Sequence, residues 1–420
     1  MAKHIVILGG GFAGVGVYRA LHHARHDTAM RITVIDRNNF FTFTPMLHEV
    51  ATGSVERSHI VQPLREIMSS CASDTFLQAE VTAVDPAKKK VSYAAHGEER
   101  TLSYDVLVVA LGSKVQWFGV PGAEKNAFPL KTLTDAVRLR NRLLEQFEKA
   151  STETRVTARR AQLQFVIIGG GPTGVELAGQ IADLTQHELC GLYGSIRLEE
   201  IGITVVQRGP RLLPQFGEAT SAIALRRLQQ LGVRVLLDTG AAAIDEDSVT
   251  LTTGERILTQ TPIWSSGVQS VMKGKLADTF LTAAGQVRIT PQLHLPGHSN
   301  VFVLGDAAAL DGKEDGVPFV PQTAQAAATL APIVARNLLR VLGRKQSPME
   351  SVAFTQRGYI MPIGDWFAVG EIGNRTYSGR FLWIIRRIVF LQQLSGWWNR
   401  VRVTAAWITG ALVRRDTSQL

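Results

Sequence analysis

Two glycine runs of identical spacing carry the clearest chemical signal. Gly9-x-Gly11-x-x-Gly14 follows the apolar run HIVIL and leads into a helical pattern, and Gly169-x-Gly171-x-x-Gly174 follows QFVII and does the same. Glycine at these positions permits a tight strand-to-helix turn. It also lets a pyrophosphate approach the backbone, where unpaired N–H groups and the helix dipole favour negative charge. A single run is weak evidence, because glycine turns also serve packing. Its repetition about 160 residues later argues for two bound dinucleotides.

Each run is followed by a second strand whose end should meet the adenosine ribose. In the first copy RITVIDR supplies Asp36, placed to accept hydrogen bonds from ribose hydroxyls. The second copy, GITVVQR, ends in Gln207-Arg208. Without a carboxylate there is no repulsion against a 2'-phosphate, and Arg208 could pair with one. Equally, Gln207 could hydrogen-bond the 2'-hydroxyl of NADH while Arg208 faces solvent. Both NADH and NADPH stay open at this point.

Other residues cluster at strand ends. YDVLVVALGS (104–113) and QTPIWSSGVQ (260–269) each read as a buried strand closing in a glycine turn, at Gly112 and Gly267. NVFVLGDAAAL ends in Gly305-Asp306, where an acid could accept hydrogen bonds from the ribityl chain of a flavin. VPQTAQAAATLAPIVARNLL predicts a helix beginning near Pro321 or Gln322, with Thr323 beside it and free N–H groups able to stabilise an anion. Glu176 falls two residues after Gly174, on the expected first turn of its helix. An acid near a helix start is favourable in any case.

No metal site is expected. His22 and His26 have helical spacing but no third ligand, Cys71 and Cys190 lie far apart, and LDGKEDGVP (310–318) lacks the spacing of a calcium loop. The cysteines also give no redox pair.

The elements that must hold these residues point to an α/β protein. At 420 residues, 45% hydrophobic and 19% charged, the chain is long enough for two or three globular domains. Its first strand is expected to begin by about His4, too early for a secretory signal ahead of it, so a cytoplasmic location is the expectation. The net charge of +9 is concentrated late: Arg380, Arg386, Arg387, Arg400, Arg402, Arg414 and Arg415 against Asp416 give +6 after Thr376. Within that tail, FLWIIRRIVFLQQLSGWWNRVRV (381–403) is too interrupted by arginine to span a bilayer. A helix lying in the interface is expected instead, its arginines among headgroups. Phe381, Trp383, Ile384, Ile385, Ile388, Val389, Leu391 and Leu394 would form the apolar surface, with Trp397, Trp398 and Trp407 following. Arginines set among aliphatic residues argue against nucleic acid; a dimer interface is compatible with the same surface.

These segments together resemble the type II NADH dehydrogenases, single-chain NADH:quinone oxidoreductases among the two-dinucleotide-binding-domain flavoproteins. FFTFTPMLHEVATG (40–53), the stretch ALGSKVQWFGVPGAEKNAFPLKTLTDAVRLRNRLLEQFE, PIWSSGVQ, VPQTAQAA and GDWFAVGEIGNRTYSG match in order and spacing over nearly the whole chain. The cysteines required by sulfide:quinone oxidoreductases and disulfide reductases are missing.

The resemblance implies two Rossmann-like domains, the second inserted in the first. FAD would lie on 1–115 and 285–345, a connector and helix on 116–159, and NADH or NADPH on 160–280. A membrane-association region would span 346–420 and end in amphipathic helices. It further implies hydride transfer to FAD, reduction of a membrane quinone without proton pumping, a homodimer, and peripheral attachment at the cytoplasmic face. Glu176, shared with the family, would lie near the nicotinamide and flavin, where burial would raise its proton affinity and suit it to proton relay. Gln325 would donate its amide hydrogen to a quinone carbonyl, but Thr329 stands where the family's motif has a second glutamine. That departure keeps open a soluble reductase with a protein or oxygen acceptor; a low-turnover flavin sensor or scaffold is a further alternative, against which the intact glycine runs, Asp306 and Glu176 weigh.

Overall fold

The structure is a computed structural model that describes the whole chain except residues 1, 24–29, 70–71, 311–319, 344–346, 357, 374, 410–414, 416 and 419–420. His26, Cys71, Arg414, Asp416 and nearly all of 310–318 therefore lie outside the described residues. In chain order, the elements that position functional side chains are β1 (Lys3–Leu8), α1 (Phe12–His23), β2 (Met30–Asp36), α2 (Leu47–Ala51), β3 (Val106–Val109), β4 (Gln164–Ile168), α3 (Pro172–Asp183), β5 (Gly202–Val206), β6 (Thr261–Trp264), β7 (His298–Val303), α4 (Ala324–Val341), β8 (Tyr359–Pro362), β9 (Ala368–Ile372), β10 (Arg375–Gly379), α5 (Arg380–Gln393) and α6 (Trp397–Thr409).

Packing divides the chain into two units. The first comprises residues 1–42, 61–114 and 268–356. Its main sheet runs in the order 294–295, β7, β3, β1, β2, 75–78, and β1 pairs in parallel with both β2 and β3. Ile5 to Leu8 are fully buried, which explains why β1 reads as a continuous apolar run rather than an alternating one. Gly16 of α1 lets that helix press against Ala331 of α4; a Cβ there would crowd the Ala331 methyl. The unit also contains a three-stranded antiparallel meander (80–85, 90–95, 98–103).

The second unit comprises residues 43–60, 115–267 and 357–420. Its five-stranded parallel sheet has the order 128–129, β6, β4, β5, 234–236. The antiparallel ribbon β8–β9–β10 and the helices α5 and α6 pack within this same unit, as does the short helix α2. Leu382 and Trp383 of α5 close over Ala368 of β9.

Two local expectations shift. Helix α4 begins at Ala324 rather than near Pro321 or Gln322, because Thr323 takes the N-cap and its Oγ accepts the Ala326 N–H at 3.2 Å. Glu176 is the fifth residue of α3, a full turn in, because Pro172 supplies the first helical position.

Candidate active site

The two glycine turns have the same construction. In the first unit Gly9 has φ +105°, and a Cβ on Gly14 would collide with the Gly9 carbonyl oxygen. In the second, Gly169 has φ +122° and Gly174 stands in the same relation to the Gly169 carbonyl. The outer glycines are thus fixed by the fold's own backbone. The middle ones are not: a Cβ on Gly11 or Gly171 would meet nothing within 4 Å. Internal packing does not account for glycine there, whereas close approach of a phosphate to the backbone does.

The strand-end residues also match. Asp36 Oδ2 accepts the Gly10 N–H at 2.6 Å and Oδ1 accepts that of Asn38 at 2.7 Å; burial raises the proton affinity of this carboxyl despite those bonds. Gln207 Oε1 accepts the Gly170 N–H at 2.9 Å. The amide oxygen thus takes the carboxylate's structural task, and the part of the side chain left to face a ribose is a neutral donor. Arg208 is exposed, its guanidinium 5.8 Å from the Phe118 ring. That ring lies where a Cβ on Gly267 would fall.

Within the first unit, Gly112 and Gly305 both take positive φ. The turns they make bring Ser113 Oγ within 2.5 Å of Asp306 Oδ2, and Gln322 donates to the Asp306 carbonyl at 2.9 Å. Gln325 and Thr329, one turn apart on α4, are both half-buried. Gly112, Gly305, Asp306, Gln322 and Thr323 thus gather around one end of β3 and β7, while Glu176 belongs to a different set.

That set is a buried charge cluster in the second unit. Arg386 of α5 is 2% exposed, and its Nη1 donates to Glu49 Oε1 of α2 at 3.0 Å. Trp407 of α6 donates its indole N–H to the other Glu49 oxygen at 3.0 Å. Arg386 Nη2 lies 3.4 Å from His48 Nε2 and 3.8 Å from Glu176 Oε1; His48 Nδ1 lies 3.6 Å from Glu176 Oε2. Burial pushes the Glu176 carboxyl up to about 8, a rise that Arg386 opposes and Glu49 adds to. Burial acts the same way on Glu49, but the charges of Arg386, His48 and Arg387 and the Trp407 bond outweigh it and hold that carboxyl below its ordinary range. Burial and then Arg386 drop His48 to about 3. Near neutral pH the cluster therefore holds a guanidinium, one carboxylate, a neutral imidazole and a protonated Glu176. One turn beyond Glu176, Gln180 Oε1 accepts from Ser54 Oγ at 3.1 Å.

Two of the tail arginines, Arg386 and Arg387, are not where the sequence placed them, whereas Arg380, Arg400 and Arg402 are exposed. Arg386 is in this cluster, and Arg387 is sandwiched 3.6 Å from the Trp383 ring and 4.6 Å from that of Trp407. A guanidinium stacked between indoles and facing a carboxylate is better satisfied than one left among apolar side chains. Trp383 and Leu394 are likewise buried. The outward face carries Phe381, Ile384, Ile388, Trp397, Trp398, Val401 and Ile408, with Phe381 75% exposed. Among the described residues no helix is long and apolar enough to cross a membrane, and no group of three or more His, Cys, Asp or Glu could hold a metal ion.

Sequence reasoning missed His48, Glu49 and Arg386 as site residues. A His-Glu pair inside an apolar segment and an arginine inside an apolar helix were the available signals, but nothing in one dimension joins positions more than 300 apart.

Residues 3–331 match the pyridine nucleotide-disulphide oxidoreductase family. The chain is 32% identical to the type II NADH:quinone oxidoreductase Ndh of Mycobacterium tuberculosis, over 98% of this chain and 88% of that one. It is 28% identical to the type II NADH:quinone oxidoreductase of Staphylococcus aureus, over 92% and 94% respectively. Among solved structures it resembles NDH2 from Plasmodium falciparum in complex with NADH, with TM-score 0.89, 21% identity and full coverage of both chains; at that identity the likeness is one of fold.

Two outcomes are expected from this geometry. Gln207→Glu places a carboxylate where a 2'-phosphate would come, so titration calorimetry should show NADPH binding weakened relative to NADH by roughly tenfold or more. Glu176 binds its proton more tightly folded than unfolded, so its contribution to stability is full at low pH and is lost as pH rises toward about 8. Glu176→Gln should therefore raise the thermal midpoint more at pH 8 than at pH 5, read by calorimetric scans at both pH values.

Proposed function

The chain belongs to the pyridine nucleotide-disulphide oxidoreductases and, within them, to the type II NADH:quinone oxidoreductases, and from that footing we propose that it oxidises NADH through FAD and reduces a membrane quinone. The observation that carries this reading is the repeated glycine turn with open space over its middle residue, once in each unit. Two such cradles suit two dinucleotides. Bound FAD supplies the chemistry of accepting a hydride and passing on its electrons.

The remaining contributions are those of this chain. Gly9, Gly11, Gly14 and Asp36 hold the adenosine end of FAD, and Asp306, fixed by Ser113 and Gln322, accepts from its ribityl hydroxyls. Gly112, Gly305 and Thr323 shape the turns beside it, and the N-terminal N–H groups of α4 favour anionic charge near the flavin. Gly169, Gly171, Gly174, Gln207 and Arg208 hold the adenosine end of NADH, with Gly267 shaping the adjoining turn. In this reading the FAD domain takes 1–115 and 285–345 and the NADH domain 160–280. NADPH remains a permitted donor, because Gln207 presents no charge against its 2'-phosphate. Gln325 donates to a quinone carbonyl, with Thr329 shortening the reach of the same helix face. Glu176 holds a proton of the kind that quinol formation consumes.

The exposed apolar residues of α5 and α6 support peripheral attachment. Phe381 and Ile388 project from one helix and the stacked pair Trp397–Trp398 from the other, with Arg400 and Arg402 exposed beside them. Such a surface lies among headgroups and the first acyl carbons without crossing the bilayer. Attachment at the cytoplasmic face, as a homodimer that moves no protons across the membrane, completes the reading.

Anaerobic mixing of lipid-reconstituted protein with NADH, followed by a short-chain quinone, tests it. Flavin absorbance should bleach on the first addition and recover on the second. Bleaching that only oxygen or a protein acceptor reverses would reject the quinone assignment, and no bleaching would reject the enzyme.

A further inference from the structure

The buried cluster holds two carboxyl groups and one guanidinium in a site closed to water. Arg386, Glu49, Glu176 and His48 are between 2% and 7% exposed. Two carboxylates this near one cation do not both ionise freely in such surroundings, so they share a titration in which one retains the proton. The geometry decides which one. Both Glu49 oxygens accept hydrogen bonds, from Arg386 and from Trp407, each at 3.0 Å. Glu176 meets its partners only at ion-pair range, 3.6 Å from His48 and 3.8 Å from Arg386.

We propose that Arg386 is a positioning residue: by committing its charge mainly to Glu49 and only partly to Glu176, it decides which carboxyl carries the cluster's proton and how readily that proton leaves. The proposal rests on the reading of Glu176 as a proton-holding residue and adds the group that governs it. The charged and titratable groups facing Glu176 are His48 and Glu49 from α2, Arg386 from α5 and Tyr359 from β8. His48 stays neutral because it is buried and, second to that, because Arg386 faces it; Tyr359 keeps its proton because it is buried and near Glu176. Only the Arg386 and Glu49 charges are left to act on Glu176, with opposite signs. Arg386 sits on the same helix as the exposed Phe381 and Ile388, so a segment read as lipid-facing also carries the charge that sets this proton.

Infrared titration of the flavin-loaded protein tests this apart from turnover. Glu176→Gln should remove one protonated-carboxyl band and so identify it; if no band is lost, the proposal is overturned. The midpoint of that band should rise by about one pH unit or more in Arg386→Met, fall by a similar amount in Glu49→Gln, and return close to its original position in Arg386→Lys. Midpoints that stay put, or move together, overturn it. Should Arg386→Met lose its flavin, Glu49→Gln decides alone, because it keeps the cation and the side-chain volume: an unmoved or rising midpoint overturns the proposal. The pH–rate profile of Glu176→Gln in quinone reduction is a separate arm. An unchanged profile beside midpoints that move as stated would reject Glu176 as a proton donor while leaving Arg386 as the group that sets its affinity.

Discussion

A guanidinium with 2% exposure cannot be left without a counter-charge, and the pairing of Arg386 with Glu49 is the constraint from which the second unit's exposed apolar face follows. Desolvating either ion alone costs several kcal/mol. The helix carrying Arg386 is therefore held in one rotation about its axis. Leu382, Trp383 and Arg386 must face inward, and helical periodicity then sends Phe381, Ile384 and Ile388 outward. Trp407 of the next helix donates to the same carboxylate, so a second helix is oriented by the same ion pair. Proton affinity at Glu176 and the direction of the apolar face are thus two consequences of one buried charge pair.

The glycine turns obey a different constraint, steric rather than electrostatic. A strand that enters a helix within a few residues brings carbonyl oxygens against the helix's first turn, and only glycine fits where Gly14 meets Gly9 and Gly174 meets Gly169. The turn is completed from the neighbouring strand, by Asp36 in one unit and Gln207 in the other. A carboxylate and an amide oxygen can both accept that bond, the carboxylate at the shorter distance. They differ in charge, so the exchange keeps the turn while changing what the strand end presents beyond it.

What could be read from the sequence follows from this contrast. Turns, strands and their terminal residues are local, so Gly9 to Gly14, Asp36, Gly305-Asp306 and the helix after Thr323 were all legible, with boundaries moved by two or three residues where a cap took precedence. The charge cluster was not, because α2, α3, α5 and α6 contribute one or two residues each and only tertiary packing joins them. The tail shows the limit most plainly. Its amphipathic character was apparent, but hydropathy alone assigns arginine to the wet face, and Glu49 reverses that assignment for Arg386.

A double-mutant cycle on Glu49 and Arg386, read by thermal unfolding of the flavin-loaded protein, separates the ion pair's own contribution from those of its two members. If the pair holds the helix in place, Arg386→Met alone should cost about 3–5 kcal/mol by leaving a buried carboxylate uncompensated, and adding Glu49→Gln should recover most of that loss. Losses that simply add would show that the two residues act independently and that something other than this ion pair fixes the helix.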